Sequence, residues 1–236
     1  MISTYNPGRV AGLLYLLVVV AGPIRIMYIP GRLFVHGNAA ATAGNIATHE
    51  GLFRLGIVSD LFVGAIAILL ALALYRLLKE VDHNLAVLMV ILGGIMPAAL
   101  YFFNVQNDLA ALTLARGGGL LSAFEEPQRD ALVVLFLNLH GQGFTVGEIF
   151  YGLWLLRLRM LTYRSRFLPR FLGVWLILNG FTYLVLSLTG LLLPQYEDRV
   201  SVIAFPILFG EVAFMLWLLI KGVSPEPNAQ TVVVSK

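Results

Sequence analysis

Residues 84–107 read NLAVLMVILGGIMPAALYFFNVQN, and no charged side chain interrupts them. A helix needs roughly 20 apolar residues to cross about 30 Å of hydrocarbon, so this run is long enough to span a bilayer. A second charge-free run, FLGVWLILNGFTYLVLSLTGLLLPQY, covers residues 171–196. Working outward, apolar segments at about 10–30, 53–78, 129–157 and 200–221 each hold an interior charge. With spans at about 84–112 and 167–193 the count is six. Composition agrees: 59% of residues are hydrophobic and 12% charged, against about 25% charged in a soluble domain. The expected fold is all-α, a polytopic membrane bundle of six transmembrane helices with a short interfacial helix after the first span. Residues 1–222 form the single domain, and 223–236 a disordered cytoplasmic tail, since SPEPNAQTVVVSK has no apolar periodicity.

Arg9 ahead of the apolar run 10–22 has the outline of a secretory signal, but no small-x-small cleavage site follows, so the segment is read as a span. Orientation follows the lysine and arginine counts. Arg9, Arg76, Lys79, Arg157, Arg159, Arg164, Arg166, Arg170, Lys221 and Lys236 fall on one side, and Arg25, Arg32, Arg54, Arg116, Arg129 and Arg199 on the other. Ten against six places both termini in the cytoplasm of a cell with this protein in its inner membrane. The run RLRMLTYRSRFLPR reads as the inner loop between spans 4 and 5, and its arginines 157, 159, 164, 166 and 170 are candidate contacts for anionic lipid headgroups. Outside, the alanine-rich stretch after Asn38 suits a short helix capped by that residue. Ser122 and Glu125 fit a capping box ahead of span 4.

Polar groups inside the spans are the functional candidates, because a charge at the bilayer centre costs about 2.5–3.5 kcal/mol on insertion scales. At ~100° per residue, Gly56, Asp60, Gly64, Ala67 and Ala71 share one narrow stripe of span 2. Gly93, Pro97, Asn104, Asp108 and Ala111 share another on span 3, with Asn107 close by. Span 4 carries NLHGQGFTVGE over 138–148; with His140 at 0°, Glu148 falls near ~80°, Asn138 near ~160° and Gln142 near ~200°. Only a narrow apolar strip remains for lipid, so this helix is expected to be central, with neighbours around most of its circumference. Asp60 is expected to bond a neighbouring backbone group or Arg54, while Arg25 and Arg54 stand at the outer rim. Glu211 in span 6 has few polar neighbours along its own helix. The ligand-binding candidates are therefore Asp60, Asn104, Asn107, Asp108, Asn138, His140, Gln142, Glu148 and Glu211, facing a polar cavity that opens outward. His140 and Glu148 are the acid/base candidates.

Recognised chemical motifs are few. There is no HExxH helix, phosphate-cradling loop or GxSxG elbow, and the absence of cysteine excludes thiolate chemistry and disulfides. The carboxylates and His140 have no diagnostic metal spacing, so neither a metal nor a cofactor is expected, and no module for nucleic acid appears. Three classes stay open: a binding protein or enzyme for a small lipophilic or amphipathic molecule, a small-molecule or proton-coupled transporter, and a structural or accessory subunit.

Three blocks carry a resemblance: AAATAGNIATHEGLFRLGIVSDL (39–61), LFLNLHGQGFTVGEIFYGLWLL (135–156) and YRSRFLPRFLGVWLILNGFTYL (163–184). In order and spacing they resemble the bacterial membrane proteins catalogued as domain-of-unknown-function family 4386, over about Arg9 to Lys221. The resemblance implies a six-helix membrane domain and assigns no activity. Arg157 and Arg159 depart from it, standing where a less basic, often proline-containing turn is expected.

Overall fold

The computed structural model describes residues 6–165 and 169–223, and every regular element among them is helical. The spans are α1 (Pro7–Leu33), α3 (Glu50–Leu78), α4 (His83–Arg116), α5 (Glu126–Ser165), α6 (Arg170–Leu192) and α7 (Glu197–Lys221), with α2 (Ala39–Thr48) as the short helix after the first. Among the described residues six helices are long and apolar enough to cross a membrane, and the chain is a polytopic membrane protein. Asn38 caps α2 as its sequence suggests, its side chain accepting from the Ala41 N–H at 2.9 Å.

The spans form a closed ring in chain order, each packed on its sequence neighbours, with α1 against α7 completing the circuit. Small residues make that closure. A Cβ on Gly12 would come within 2.8 Å of the Leu219 nitrogen, and Gly8 donates its N–H to the Val223 carbonyl at 2.8 Å. Asn6 ties both chain ends together, its side-chain oxygen accepting from Arg9 at 3.1 Å and from Val223 at 3.0 Å. Val223, expected in the tail, is thus part of the bundle, while the rest of the tail lies outside the described residues.

Two apolar layers close the ring. At the end bearing Asn6 and Val223, Leu74, Leu78, Leu155, Leu158, Leu161 and Phe214 are buried together. At the far end, Ile29, Leu33, Ile46, Phe53, Val105 and Val133 pack beneath α2. The first layer explains why the basic run expected as a loop is helical through Ser165: Leu158, Leu161 and Thr162 continue the buried stripe of α5. Residues 166–168, Arg166 included, lie outside the described residues. Ahead of α5 the expected capping box is absent; Ser122 lies in a 3-10 turn, and the Glu125 N–H donates to the Gln128 side chain at 3.1 Å.

Two features shape the interior. First, α1 widens into a π-turn at Ile24–Tyr28 immediately after Pro23, which supplies no N–H of its own. Arg25 on that turn is buried, while Ile24, Ile26, Met27 and Tyr28 are exposed. Second, α6 and α7 are short at the far end. A Cβ on Gly190 would meet Thr145 and lie 3.3 Å from a Glu197 oxygen, so α6 and α7 meet level with Thr145. From there α5 continues to Glu126, about 28 Å further along its axis. Asn138, Leu139, Gly141 and Gln142 are consequently exposed. The expectation that neighbours surround most of α5 fails at this level, because α6 ends before reaching it.

Candidate functional site

Between the apolar layers lies a buried polar cluster built on Arg25. Its guanidinium donates from Nε to Asp60 Oδ2 at 2.9 Å and from Nη2 to Asp108 at 2.8 and 2.9 Å. The same Nη2 lies 2.8 Å from His140 Nε2, so that ring nitrogen is the acceptor. His140 Nδ1 faces Asp108 Oδ2 at 3.3 Å and carries the remaining ring proton in this arrangement. Arg25, Asp60 and Asp108 are each at most 4% exposed. Asn104 fixes the level of α5 by donating to the His140 carbonyl at 3.1 Å, and Asn107 donates to Asn104 at 3.4 Å. Gly143 allows this approach, since a Cβ there would overlap the Asn104 side chain.

Two anionic carboxylates opposite one permanent cation leave a single negative charge when His140 is neutral. One further proton, shared among Asp60, Asp108 and His140, brings the cluster to neutrality, the state a low-dielectric interior favours. The ligand atoms of these three residues lie within 4.8 Å of one another, a spacing that suits a cation. The cation they hold is the Arg25 guanidinium.

Beside this cluster is a cavity of about 660 Å³. Arg25 and His140 face it at one end, with Asp60 and Asp108 behind them. Its walls are largely apolar, from Val18 and Val19 on α1 to Val63 and Leu70 on α3 and Leu208 on α7. Glu148, Glu211, Tyr15, Tyr101, Tyr151 and Tyr183 supply most of the other polar groups. Tyr15 donates its hydroxyl to Glu211, and Tyr183 is the second hydroxyl beside that carboxylate. Glu148 has no hydrogen-bond or ion-pair partner among the described residues, and the charge that acts on it is another carboxylate, Glu197. Ile26, Met27 and Phe205 line the cavity and are also exposed, so it reaches the surface above the short α6–α7 hairpin, between the far halves of α1 and α5.

The candidates thus divide into three groups. His140, Glu148 and Glu211 line the cavity; Asp60, Asp108, Asn104 and Asn107 stand behind it and position Arg25 and His140; Asn138 and Gln142 are exposed and bond to nothing described. His140 and Glu148 share the cavity without bonding each other. Glu148 lies one turn along α5 from the level where Thr145, Gly190 and Glu197 meet. Arg54 does not reach Asp60; it pairs with Glu50 at 2.6 Å. Arg25, expected at the rim, is instead the centre of the cluster. Charge balance was the available signal: the carboxylates of spans 2 and 3 require a cation, and Arg25 is the one basic residue in the apolar run of the first span. The four tyrosines carried no comparable signal, because aromatic residues in apolar helices are ordinary packing.

At the opposite end Arg164 pairs with Asp82, the cap of α4. The Arg159 guanidinium lies over the Tyr163 ring at 4.5 Å.

A family model described as Domain of unknown function (DUF4386) matches residues 10–222. An uncharacterized protein of Archaeoglobus fulgidus is 28% identical over 170 residues, covering 70% of this chain and 83% of that protein. No solved structure matches the chain.

Proposed function

The chain belongs to the family described as Domain of unknown function (DUF4386), and we propose that it binds or acts on a small lipophilic or amphipathic molecule inside the membrane. The observation that carries this reading is the cavity of about 660 Å³, apolar along its walls with a few convergent polar groups, a combination typical of small-molecule sites. A molecule enters from the outer half of the bilayer, above the α6–α7 hairpin, and the cavity is outward-facing in that sense. His140 and Glu148 serve as acid/base or hydrogen-bonding groups, Glu211 as a deeper polar contact, and Asp60, Asp108, Asn104 and Asn107 hold Arg25 and His140 in place. Asn138 and Gln142 contribute at the rim.

Native mass spectrometry of protein extracted from membranes tests the reading. A retained small molecule that disappears in Ala67→Phe, a change that places a ring at the cavity wall, is the expected result. Retention of the same molecule by both proteins would put it elsewhere.

A second reading, a proton-coupled transporter, draws on the one-proton deficit of the Arg25 cluster. It requires substrate uptake by reconstituted vesicles that acidification changes. The third, a structural or accessory subunit, requires that folding and assembly alone suffer when the interior charges are removed. In all three the end bearing Asn6 and Val223 faces the cytoplasm of a cell whose inner membrane holds the protein, and Arg157, Arg159, Arg164, Arg166 and Arg170 contact anionic lipid there. A reporter active only in the cytoplasm, fused after Arg164 and after Glu126, distinguishes the two orientations.

A further inference from the structure

We propose that the cavity selects a lipophilic organic cation, an amine or quaternary ammonium or phosphonium ion, through Glu148, Glu211 and the aromatic rings around them. This rests on the preceding reading that the cavity is a binding site, and it names the class of ligand.

Formal charge on the cavity wall is uneven. The cationic end is Arg25, but its guanidinium is engaged by both Asp60 and Asp108 at 2.8–2.9 Å, so it offers an incoming anion no net positive charge. Glu211 and Glu148 have no basic partner among the described residues. Glu211 is met by the Tyr15 and Tyr183 hydroxyls, and Glu148 has no hydrogen-bond or ion-pair partner among the described residues. A carboxylate in an apolar wall is costly without a counter-ion, and a cation entering the cavity supplies one.

The rings strengthen the same preference. Tyr151 and Tyr183 stand edge to face at 5.8 Å between centroids, as do Tyr101 and Phe144 at 5.3 Å, and Tyr15 and Trp154 are tilted against each other at 5.9 Å. All six residues line the cavity. Aromatic faces attract cations through their quadrupoles, most strongly when the cation is desolvated, and they repel anions. Carboxylates among aromatic rings in an apolar chamber therefore favour a cation whose substituents are themselves apolar. A metal ion demands several oxygen ligands converging on one point, and among the described residues the set of three acidic or histidine groups that close is Asp60, Asp108 and His140, already occupied by the Arg25 guanidinium.

Tetraphenylphosphonium and tetraphenylborate have the same shape and opposite charge, and they serve as the probes. Binding is measured in detergent by equilibrium dialysis on wild type, Glu148→Gln, Glu211→Gln and two cavity-filling variants. Ala67→Phe is the first filler. Gly22→Phe is the second, at a lining glycine where an added Cβ meets nothing within 4 Å, and it serves if the first does not fold. The phosphonium is expected to bind wild type, to bind each glutamine variant about tenfold or more weakly, and to be lost with the filled cavity. The borate is expected to show only the micelle background seen in the filled variants.

Three outcomes overturn the inference. Borate binding as strong as phosphonium binding, both lost on filling, removes the charge preference and leaves the cavity as a binding site. Phosphonium binding unchanged in both glutamine variants removes the role of the carboxylates. Binding of either ion that survives filling places it outside the cavity, and the binding-site reading then stands or falls on the co-purifying molecule alone.

Discussion

Replacing Arg25 with methionine is the sharpest perturbation the structure offers. The side chain is 4% exposed and its guanidinium serves Asp60, Asp108 and His140 at once. Methionine keeps much of the volume and removes every donor, so two carboxylates that are each at most 1% exposed lose their only cation. Removing one partner of a buried ion pair costs about 3–5 kcal/mol, because the other charge stays buried and uncompensated. On the calibration for domains of 150–250 residues, where each kcal/mol is about 2–4 °C, the midpoint of thermal unfolding falls by roughly 6–20 °C. Protonation of one carboxylate moderates the loss at acid pH, so the gap between wild type and Arg25→Met narrows as pH falls. Arg25→Lys recovers only part of the loss, since a point ammonium cannot reproduce the planar fork that meets both carboxylates. The triple change Arg25→Met, Asp60→Asn, Asp108→Asn removes charge from both sides and recovers more of the stability than Arg25→Lys does. Unfolding followed by tryptophan fluorescence in detergent reads all four proteins. An Arg25→Met midpoint within about 2–4 °C of wild type, the shift expected for only about 1 kcal/mol, refutes the reasoning, as does a triple variant less stable than Arg25→Met.

Three further outcomes follow from individual contacts. Glu211→Gln retains the hydrogen bond with Tyr15 and folds with a midpoint close to wild type, while Glu211→Leu strands that hydroxyl and loses about 1–3 kcal/mol; equal loss in both would point to an essential ion pair instead. Gly143→Ala forces Asn104 away from the His140 carbonyl and costs about 1–3 kcal/mol by overpacking, whereas Gly141→Ala, where nothing lies within 4 Å, leaves the unfolding midpoint unchanged. Asp82, at the turn between α3 and α4, is held below the usual carboxylate range by the Leu85 N–H that it caps and by Arg164. A carboxylate whose folded value is depressed stabilises the fold above its unfolded value, near pH ~4, and that contribution is lost as pH falls through the folded value. Asp82→Asn is therefore less stable than wild type at neutral pH, and the difference shrinks in acid titrations monitored by circular dichroism. A constant difference down to the acid limit would show that Asp82 acts without its charge.

Much of this protein was determined by local chemistry and so was readable in its amino-acid order. Charge-free runs such as 84–107 admit few stable surroundings besides hydrocarbon, which made the six spans and the all-helical class accessible without coordinates. The N-cap at Asn38 and the burial of Asp60, Asn104, Asp108 and His140 followed from capping chemistry and helical periodicity in the same way. Which cation answers Asp60 was a different kind of question. Arg54 is six residues away on the same helix and Arg25 thirty-five away on another, and the choice depends on the π-turn after Pro23 and on α1 packing against α3. The exposure of Asn138 and Gln142 likewise depends on where α6 stops relative to α5, a comparison between helices that no single helical wheel contains. Periodicity says which face of a helix is polar; only the assembled ring decides what that face meets and how far each neighbour reaches. The cavity exists for the same reason, as the space left when six helices of unequal reach close around two apolar layers.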